Sequence, residues 1–127
     1  MIERIATVAG VPKPQASYST YTRFGDLIFI AGQVAVEPET GRIPSSFADQ
    51  LRLVLDHIRS ILESAGSSME QVLKMTVFLT DRAYRTEYDE VFRTYFKGGF
   101  PARSTIVADL MGEEFLVEIE AIAAAPR

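Results

Sequence analysis

The sequence predicts an α+β fold, in which a mixed β-sheet carries two helices on one of its faces. Short apolar or β-branched segments alternate with two segments of helical periodicity, in the order β-β-β-α-β-α-β-β. Strand-helix-strand crossovers are right-handed, so both helices should stack on the same side of the sheet. A chain of 127 residues is long enough for one such domain and too short for two ordinary ones, so we expect a single domain over residues 1–127.

Three strands are predicted before the first helix. Ile2–Thr7 is predicted as a short edge strand, and Tyr18–Arg23 as a second strand whose residues alternate between two faces. Leu27–Ala31 is a continuous apolar run, which is typical of a strand covered on both faces. The run ends at Gly32, where the missing side chain allows a neighbouring strand or a ligand oxygen to approach the backbone closely.

Two helices are predicted from apolar residues that recur at three- and four-residue steps. The first opens at Ser46 with the spacing of a capping box and stops at Gly66. The second carries an aromatic stripe over Tyr84–Phe96, which favours core packing over a cofactor site. The polar side of the first helix carries His57, and no nucleophile motif accompanies it. We therefore expect His57 to be a solvated helix residue without a catalytic role.

The remaining strands are predicted at Lys74–Thr80, Ile106–Leu110 and Phe115–Ala124. In the last of these, alternation puts Glu118 and Glu120 on one face of a strand that is otherwise apolar. Either these carboxylates lie on a solvated sheet face, or at least one lines a cleft and is balanced by a cation such as Arg103.

Arg103 is the most conspicuous isolated cation of the chain. It lies in the segment FPARST, Phe100–Thr105, at a predicted junction between a loop and an apolar strand. Pro101 stiffens this junction, and a guanidinium held there is suited to bind a planar carboxylate through two parallel hydrogen bonds. The alternative interpretation is an ordinary surface salt bridge.

The strand patterns also predict self-association. If both helices cover one sheet face, the other face is bare, and runs such as Leu27–Ala31 and Met75–Leu79 would expose more apolar surface than soluble monomers usually tolerate. We therefore expect a homo-oligomer with ligand clefts between its subunits.

Composition and charge disfavour several classes of protein. The net charge is −4 and no Lys/Arg cluster is longer than two residues, so nucleic acid is not expected as a partner. With one histidine, no cysteine and no calcium-binding loop, no metal is expected. The longest apolar runs are five residues and no signal core follows Met1, so we expect a cytoplasmic protein without a membrane segment.

Four segments of the chain together resemble the Rid family of reactive-intermediate imine/enamine deaminases, also called RidA or YjgF. They are FIAGQV with the following PETG turn, LKMTVFLTD, FPARST and VEIEAIA. The resemblance runs from about Tyr18 to the C-terminus. It implies a chorismate-mutase-like (YjgF) fold, a homotrimer with a ligand cleft between neighbouring subunits, and hydrolysis without a cofactor.

The resemblance also implies roles for individual residues. Arg103 would bind the α-carboxylate of a small imino acid such as 2-iminopropanoate or 2-iminobutanoate. Glu118 would handle the hydrolytic water, Tyr18 would be the pocket tyrosine, and Gly32 would contribute a backbone contact. Imine hydrolysis requires only a positioned water, a proton shuttle and a clamp, so the chemistry is plausible without a metal or cofactor.

Three positions depart from the common pattern of the family. Thr105 stands where many members carry cysteine, and its hydroxyl can still donate to a carboxylate. Ser17 replaces the proline that usually precedes the tyrosine. Asp89 stands where asparagine often occurs, and its carboxylate would repel an anionic substrate unless it faces away.

The leading hypothesis is thus a cofactor-free deaminase that converts small imines or enamines to 2-ketoacids and ammonia. The alternative is a non-catalytic ligand-binding or regulatory member of the same fold, because fold alone does not determine function. RNA cleavage is a third hypothesis, against which the acidic balance argues. Ammonia release from freshly generated imino acid would separate the first two.

Overall fold

The computed structural model describes residues Met1–Arg127 and contains six strands and two helices. The elements are β1 (Ile2–Ile5), β2 (Tyr21–Phe24), β3 (Leu27–Val34), α1 (Phe47–Ser64), β4 (Val72–Leu79), α2 (Arg85–Arg93), β5 (Ala102–Val107) and β6 (Val117–Ala124). Their order is the predicted one. Short 3-10 turns at Met69–Gln71 and Arg82–Tyr84 lead into β4 and α2.

All six strands form one sheet in the order β1-β2-β3-β6-β4-β5. Every neighbouring pair is antiparallel except β4 and β5, which are parallel, so the sheet is mixed. The last strand in the sequence, β6, therefore lies near the centre of the sheet, between β3 and β4. The predicted α+β class, with a mixed sheet and two helices, is confirmed.

Helix α1 begins and ends where its sequence signals indicate. The Asp49 backbone N–H donates to the Ser46 hydroxyl at 3.2 Å, which satisfies one of the free donors of the first turn. At the other end, Gly66 adopts a positive φ of 77°, a conformation that glycine takes at low cost.

The hydrophobic core lies between the helices and one face of the sheet. On β6, alternate residues from Val117 to Ala123 are buried in it, as the alternation predicts. The opposite face is uncovered in the protomer. There Phe29 is 41% exposed and Ile106 is also exposed, beside the polar residues Lys74 and Glu120. This bare face is thus mixed in character rather than uniformly apolar.

Strand β3 contains a β-bulge that the sequence analysis did not predict. Ile30 pairs with Ala121 and Gln33 with Ile119, so three steps along β3 match two steps along β6. Because of the extra residue, Ile30 and Gln33 both face the core although they are three positions apart. The strand consequently continues past Gly32 to Val34, instead of ending at the glycine.

Strand β5 begins earlier than predicted. Its parallel ladder with β4 starts at Ala102, which pairs with Lys74. Arg103 therefore lies within an edge strand and not in a loop before it, and Pro101 immediately precedes the first ladder residue. Proline is compatible with this position because it supplies no N–H to the ladder.

The prediction that His57 is a solvated residue is wrong. Its side chain lies in α1 with only 3% of the residue exposed, and its Nε2 lies 2.8 Å from the backbone oxygen of Val36. The Nε2–H donates to this oxygen and so ties the segment after β3 to the helix. A lone histidine beside Asp56 looked solvated in sequence, whereas a loop carbonyl provides the partner that its burial requires.

No helix in the structure combines the length and the apolar composition needed to cross a membrane. No group of three or more histidine, aspartate or glutamate side chains is arranged to hold a metal ion.

We predict that His57 makes the protein less stable as the pH falls. Burial lowers the pKa of His57 below its ordinary value of 6.5, although the Val36 carbonyl and the Asp56 charge oppose this shift. Between the folded-state pKa and about 6.5 the unfolded chain binds more protons, so the free energy of unfolding rises with pH, by at most about 1.4 kcal/mol per pH unit. The His57→Gln variant keeps an N–H donor without titrating in this range. Urea unfolding at several pH values should give it a flatter profile, and identical profiles would contradict the prediction.

Candidate active site

Arg103 lies on the helix-facing side of β5. Its guanidinium carbon is 4.6 Å from the centre of the Tyr88 ring and 4.7 Å from the centre of the Phe92 ring, so both rings of α2 border the cation. The side chain is 30% exposed. Contact with two aromatic faces stabilises the positive charge and restricts the rotamers of the long side chain.

Asp89 is the anionic partner of Arg103. The Nη1 of Arg103 donates to Oδ1 of Asp89 at 3.3 Å, and the Nη2 of Arg93 donates to Oδ2 at 2.8 Å. The hydrogen bonds from both arginines hold the pKa of the Asp89 carboxyl below its usual range, with Arg93 contributing more. The carboxylate thus faces Arg103. The simple salt bridge considered for Arg103 does exist, but it engages only one nitrogen of the guanidinium.

Thr105 lies two residues beyond Arg103 on the same face of β5. Its hydroxyl donates to the phenol oxygen of Tyr88 at 3.5 Å, the outer limit of a hydrogen bond. Burial raises the pKa of Tyr88, so its phenol stays protonated near neutral pH. Thr105 and Arg103 therefore line one surface together with α2.

Glu118 lies against Gly32 at the bulge of β3. A Cβ atom at Gly32 would overlap Oε2 of Glu118 and lie 3.0 Å from its Cδ, so a larger residue here would displace the carboxylate from this position. Burial raises the pKa of Glu118 above 4.5, and the charge of Glu120 on the same face adds to the shift. A carboxylate tuned in this direction is a better proton acceptor near neutral pH than an ordinary glutamate.

Tyr18 shares a narrow cleft with Gly32. The cleft has a volume of about 30 Å³, and Pro12, Thr20 and Gln33 also line it. Tyr18 is exposed and precedes β2, which starts at Tyr21. Next to β2, the buried hydroxyl of Thr20 donates to the Ala6 oxygen at 2.8 Å. Gly32 thus borders the cleft of Tyr18 and also lies against Glu118.

The two groups of predicted site residues lie on opposite faces of the sheet in one protomer. Thr105 pairs with Val77, and Val77 pairs with Ile119; both partners are fully buried on the helix side. Glu118 is the neighbour of Ile119 and so points to the bare face, as strand alternation requires. Arg103 therefore does not balance Glu118 within one protomer.

Sequence reasoning missed three residues near Arg103. Tyr88 and Phe92 were assigned to the core, where they do lie, but their ring faces also border the cation. Arg93 follows Asp89 by four residues, and this helical spacing could have indicated their ion pair. The contact between Asp89 and Arg103 joins residues 14 positions apart, and no sequence spacing indicates it.

Comparison with known proteins identifies the family. A family model described as Endoribonuclease L-PSP matches residues 9–125. A RutC family protein of Pyrococcus horikoshii is 38% identical over 123 residues, which cover 96% of this chain and 98% of that protein. TdcF of Escherichia coli strain K12, provisionally named a reactive intermediate deaminase, is 33% identical over 125 residues, covering 96% of this chain and 97% of TdcF.

Solved structures agree with these sequence matches. The crystal structure of Escherichia coli TdcF with bound serine has a TM-score of 0.91 at 33% identity, covering 96% of this chain and 98% of that one. RidA from an Antarctic Psychrobacter species has a TM-score of 0.91 at 30% identity, covering 96% and 99%. The resemblance of the four sequence segments is thereby confirmed, and the chain belongs to the YjgF/RutC/Rid family.

Proposed function

We propose that this protein hydrolyses small reactive imines or enamines, of the 2-iminopropanoate and 2-iminobutanoate type, to a 2-ketoacid and ammonia without a cofactor. The observation that carries the proposal is the half-buried Glu118 carboxylate, which has a raised pKa and lies against the backbone of Gly32. Membership of the Rid family and the similarity to TdcF support the same reaction class.

We further propose that the active site forms between subunits of a homotrimer. Arg103 and Thr105 of one protomer would face Glu118, Gly32 and Tyr18 of its neighbour. The separation of the two groups on opposite sheet faces supports this arrangement, since one protomer alone cannot hold a substrate between them. Every residue of the edge strand β5 is exposed in the protomer, and an uncovered edge of this kind favours association.

In this site the substrate carboxylate would bind to Arg103 through the donors that Asp89 leaves free. Glu118 would accept a proton from a water molecule as the water oxygen adds to the imine carbon. The C=N π electrons move to nitrogen, which takes up a proton from solvent. Collapse of the resulting carbinolamine then releases the hydroxyl proton to solvent as the ketone forms, and ammonia leaves with the proton that Glu118 returns to it.

The alternative is a non-catalytic ligand-binding member of the same fold. It would retain carboxylate binding at Arg103 without releasing ammonia from imino acid generated in place. The family model carries an endoribonuclease description, but the net charge of −4 gives no electrostatic reason to expect RNA binding by this chain. An assay of ammonia release decides between the enzyme and the ligand-binding module.

We predict that the Phe29→Asp substitution dissociates the trimer. Phe29 is an exposed aromatic residue on the bare sheet face, and a carboxylate there would have to be desolvated on assembly. Light scattering should change from three times the 14.1 kDa protomer mass towards a single protomer. Met111→Asp, at a loop residue that is 99% exposed, is the control and should leave the mass unchanged. A wild-type monomer at micromolar concentration would exclude the trimer itself.

We predict that Arg103→Lys weakens substrate binding. Lysine keeps the charge but loses the planar pair of donors, and one charge-assisted hydrogen bond is worth about 1.5–3 kcal/mol. This loss corresponds to a rise in KM of about ten- to a hundredfold, with a smaller effect on kcat. Arg85→Lys is the matched control, because Arg85 lines the same cleft without a hydrogen bond to Asp89. Equal KM values for the wild type and Arg103→Lys would remove Arg103 from the site.

We predict that Glu118→Gln lowers kcat by about 10²–10⁴, because glutamine has nearly the same shape but accepts no proton. In the wild type, kcat/KM should fall with decreasing pH through the raised pKa of Glu118, since the base must be ionised. Glu120→Gln should retain kcat and move this acid limb to lower pH, because the Glu120 charge contributes to the shift. Wild-type kcat in Glu118→Gln would contradict the assignment.

A further inference from the structure

The clearest unexplained feature near the proposed site is a fixed carboxylate bound to the cation that should bind substrate. Asp89 contributes one oxygen to Arg103 and the other to Arg93. Since Asp89 and Arg93 are four residues apart on α2, this pair would form without any contribution from Arg103. The contact between Asp89 and Arg103 therefore calls for a separate explanation.

The two hydrogen bonds of Asp89 are unequal. Its bond to Arg93 is 2.8 Å long, whereas its bond to Arg103 is 3.3 Å long and uses Nη1 alone. A guanidinium has five N–H donors, so the remaining donors of Arg103 can still bind a planar anion. A substrate carboxylate would thus bind beside Asp89 as a second anion on one cation, and would not have to displace it.

The residues around Arg103 prevent it from moving away from Asp89 when a second carboxylate binds. The rings of Tyr88 and Phe92 lie 4.6 and 4.7 Å from the guanidinium carbon and limit its rotation. Asp89 is anchored by Arg93 and remains ionised, because both arginines lower its pKa. Two carboxylates on one guanidinium lie about 5 Å apart, a distance at which like charges repel even in a partly aqueous environment.

Two clefts border these groups, and the larger of them has no apolar side chain in its lining. The larger cleft has a volume of about 570 Å³ and is lined by Arg85, Thr86, Asp89, Glu90, Arg93 and Arg103. Asp89 and Glu90 offset two of the three arginine charges, so the surface presents one net positive charge instead of three. This balance reduces the attraction for anions, and Asp89 is the one acid of the two that bonds to Arg103.

We propose that Asp89 determines the charge selectivity of the site, lowering the affinity of Arg103 for carboxylates relative to ligands that carry an uncharged carbonyl in the same position. A neutral amide or ester accepts hydrogen bonds from the free guanidinium donors without repulsion from Asp89. The protein would therefore accept imines or enamines of amide or ester type as well as those of imino acids. This proposal rests on the proposed function, since it assumes that Arg103 binds the substrate.

The test compares two ligands of the same carbon skeleton, one with a charged carboxylate and one with an uncharged amide in its place. 2-Oxobutanoate and 2-oxobutanamide are titrated into the assembled protein by calorimetry, in the wild type and in Asp89→Asn. Asparagine has the size of aspartate and keeps a hydrogen-bonding oxygen but no charge. We expect Asp89→Asn to bind 2-oxobutanoate about tenfold more tightly, with the affinity for the amide changed less than about twofold.

Glu90→Gln is the matched control. Glu90 lines the same cleft on the same helix but has no hydrogen bond to Arg103, so this variant removes the same charge without the contact. It should change both affinities by less than about twofold. The tenfold gain in Asp89→Asn should also shrink as salt is raised from about 0.02 M to about 0.5 M, since screening weakens the repulsion that the substitution removes.

Three results would overturn the proposal, and each has a different meaning. If Asp89→Asn binds 2-oxobutanoate no better than the wild type, or less well, Asp89 serves only to position Arg103. If Glu90→Gln gives the same gain as Asp89→Asn, the effect comes from net charge and not from Asp89. If neither ligand binds to the wild type or to Asp89→Asn at millimolar concentration, Arg103 is not a substrate site, and the proposed function fails together with this inference.

Discussion

The position of β6 between β3 and β4 is the constraint on which the rest of the structure depends. The last strand of the chain pairs on one side with β3 and on the other with β4, so neither half of the sheet is complete before it is added. Its core-facing residues are buried under α1, and its other face carries Glu118 and Glu120. One strand thereby joins the sheet, contributes to the core and presents the candidate catalytic carboxylate.

The bulge in β3 determines how this strand pairs with β6 next to Glu118. Without the extra residue, Gln33 would pair with Glu118, and the residues after Ile30 would face the other side of the sheet. With it, Gln33 enters the core and Gly32 lies against the Glu118 carboxylate. β-bulges commonly reorient side chains beside functional sites, and here the irregularity lets a carboxylate be half-buried without a clash.

Much of this architecture was predictable because its causes are local. Strand alternation identified the faces of β6, and the spacing from Ser46 identified the start of α1. The burial of His57 was not predictable, because its partner is a loop carbonyl 21 residues earlier in the chain. The same holds for Gln50, whose buried amide donates to the Pro44 and Glu114 oxygens and accepts from the Leu116 N–H. Contacts between distant segments leave no periodic signal.

The two arginines with the most restricted environments show why one is a candidate ligand site and the other is not. Arg23 is buried, and its two terminal nitrogens donate to the backbone oxygens of Ala125 at 2.6 Å and Ala65 at 2.8 Å. Ala65 ends α1, where the helix dipole favours a cation, so the charge of Arg23 is stabilised by the fold itself. Arg103 has aromatic rings and one long contact with Asp89 in place of such carbonyls. Its charge is held in position while most of its donors stay free, which is the condition for binding an external ligand.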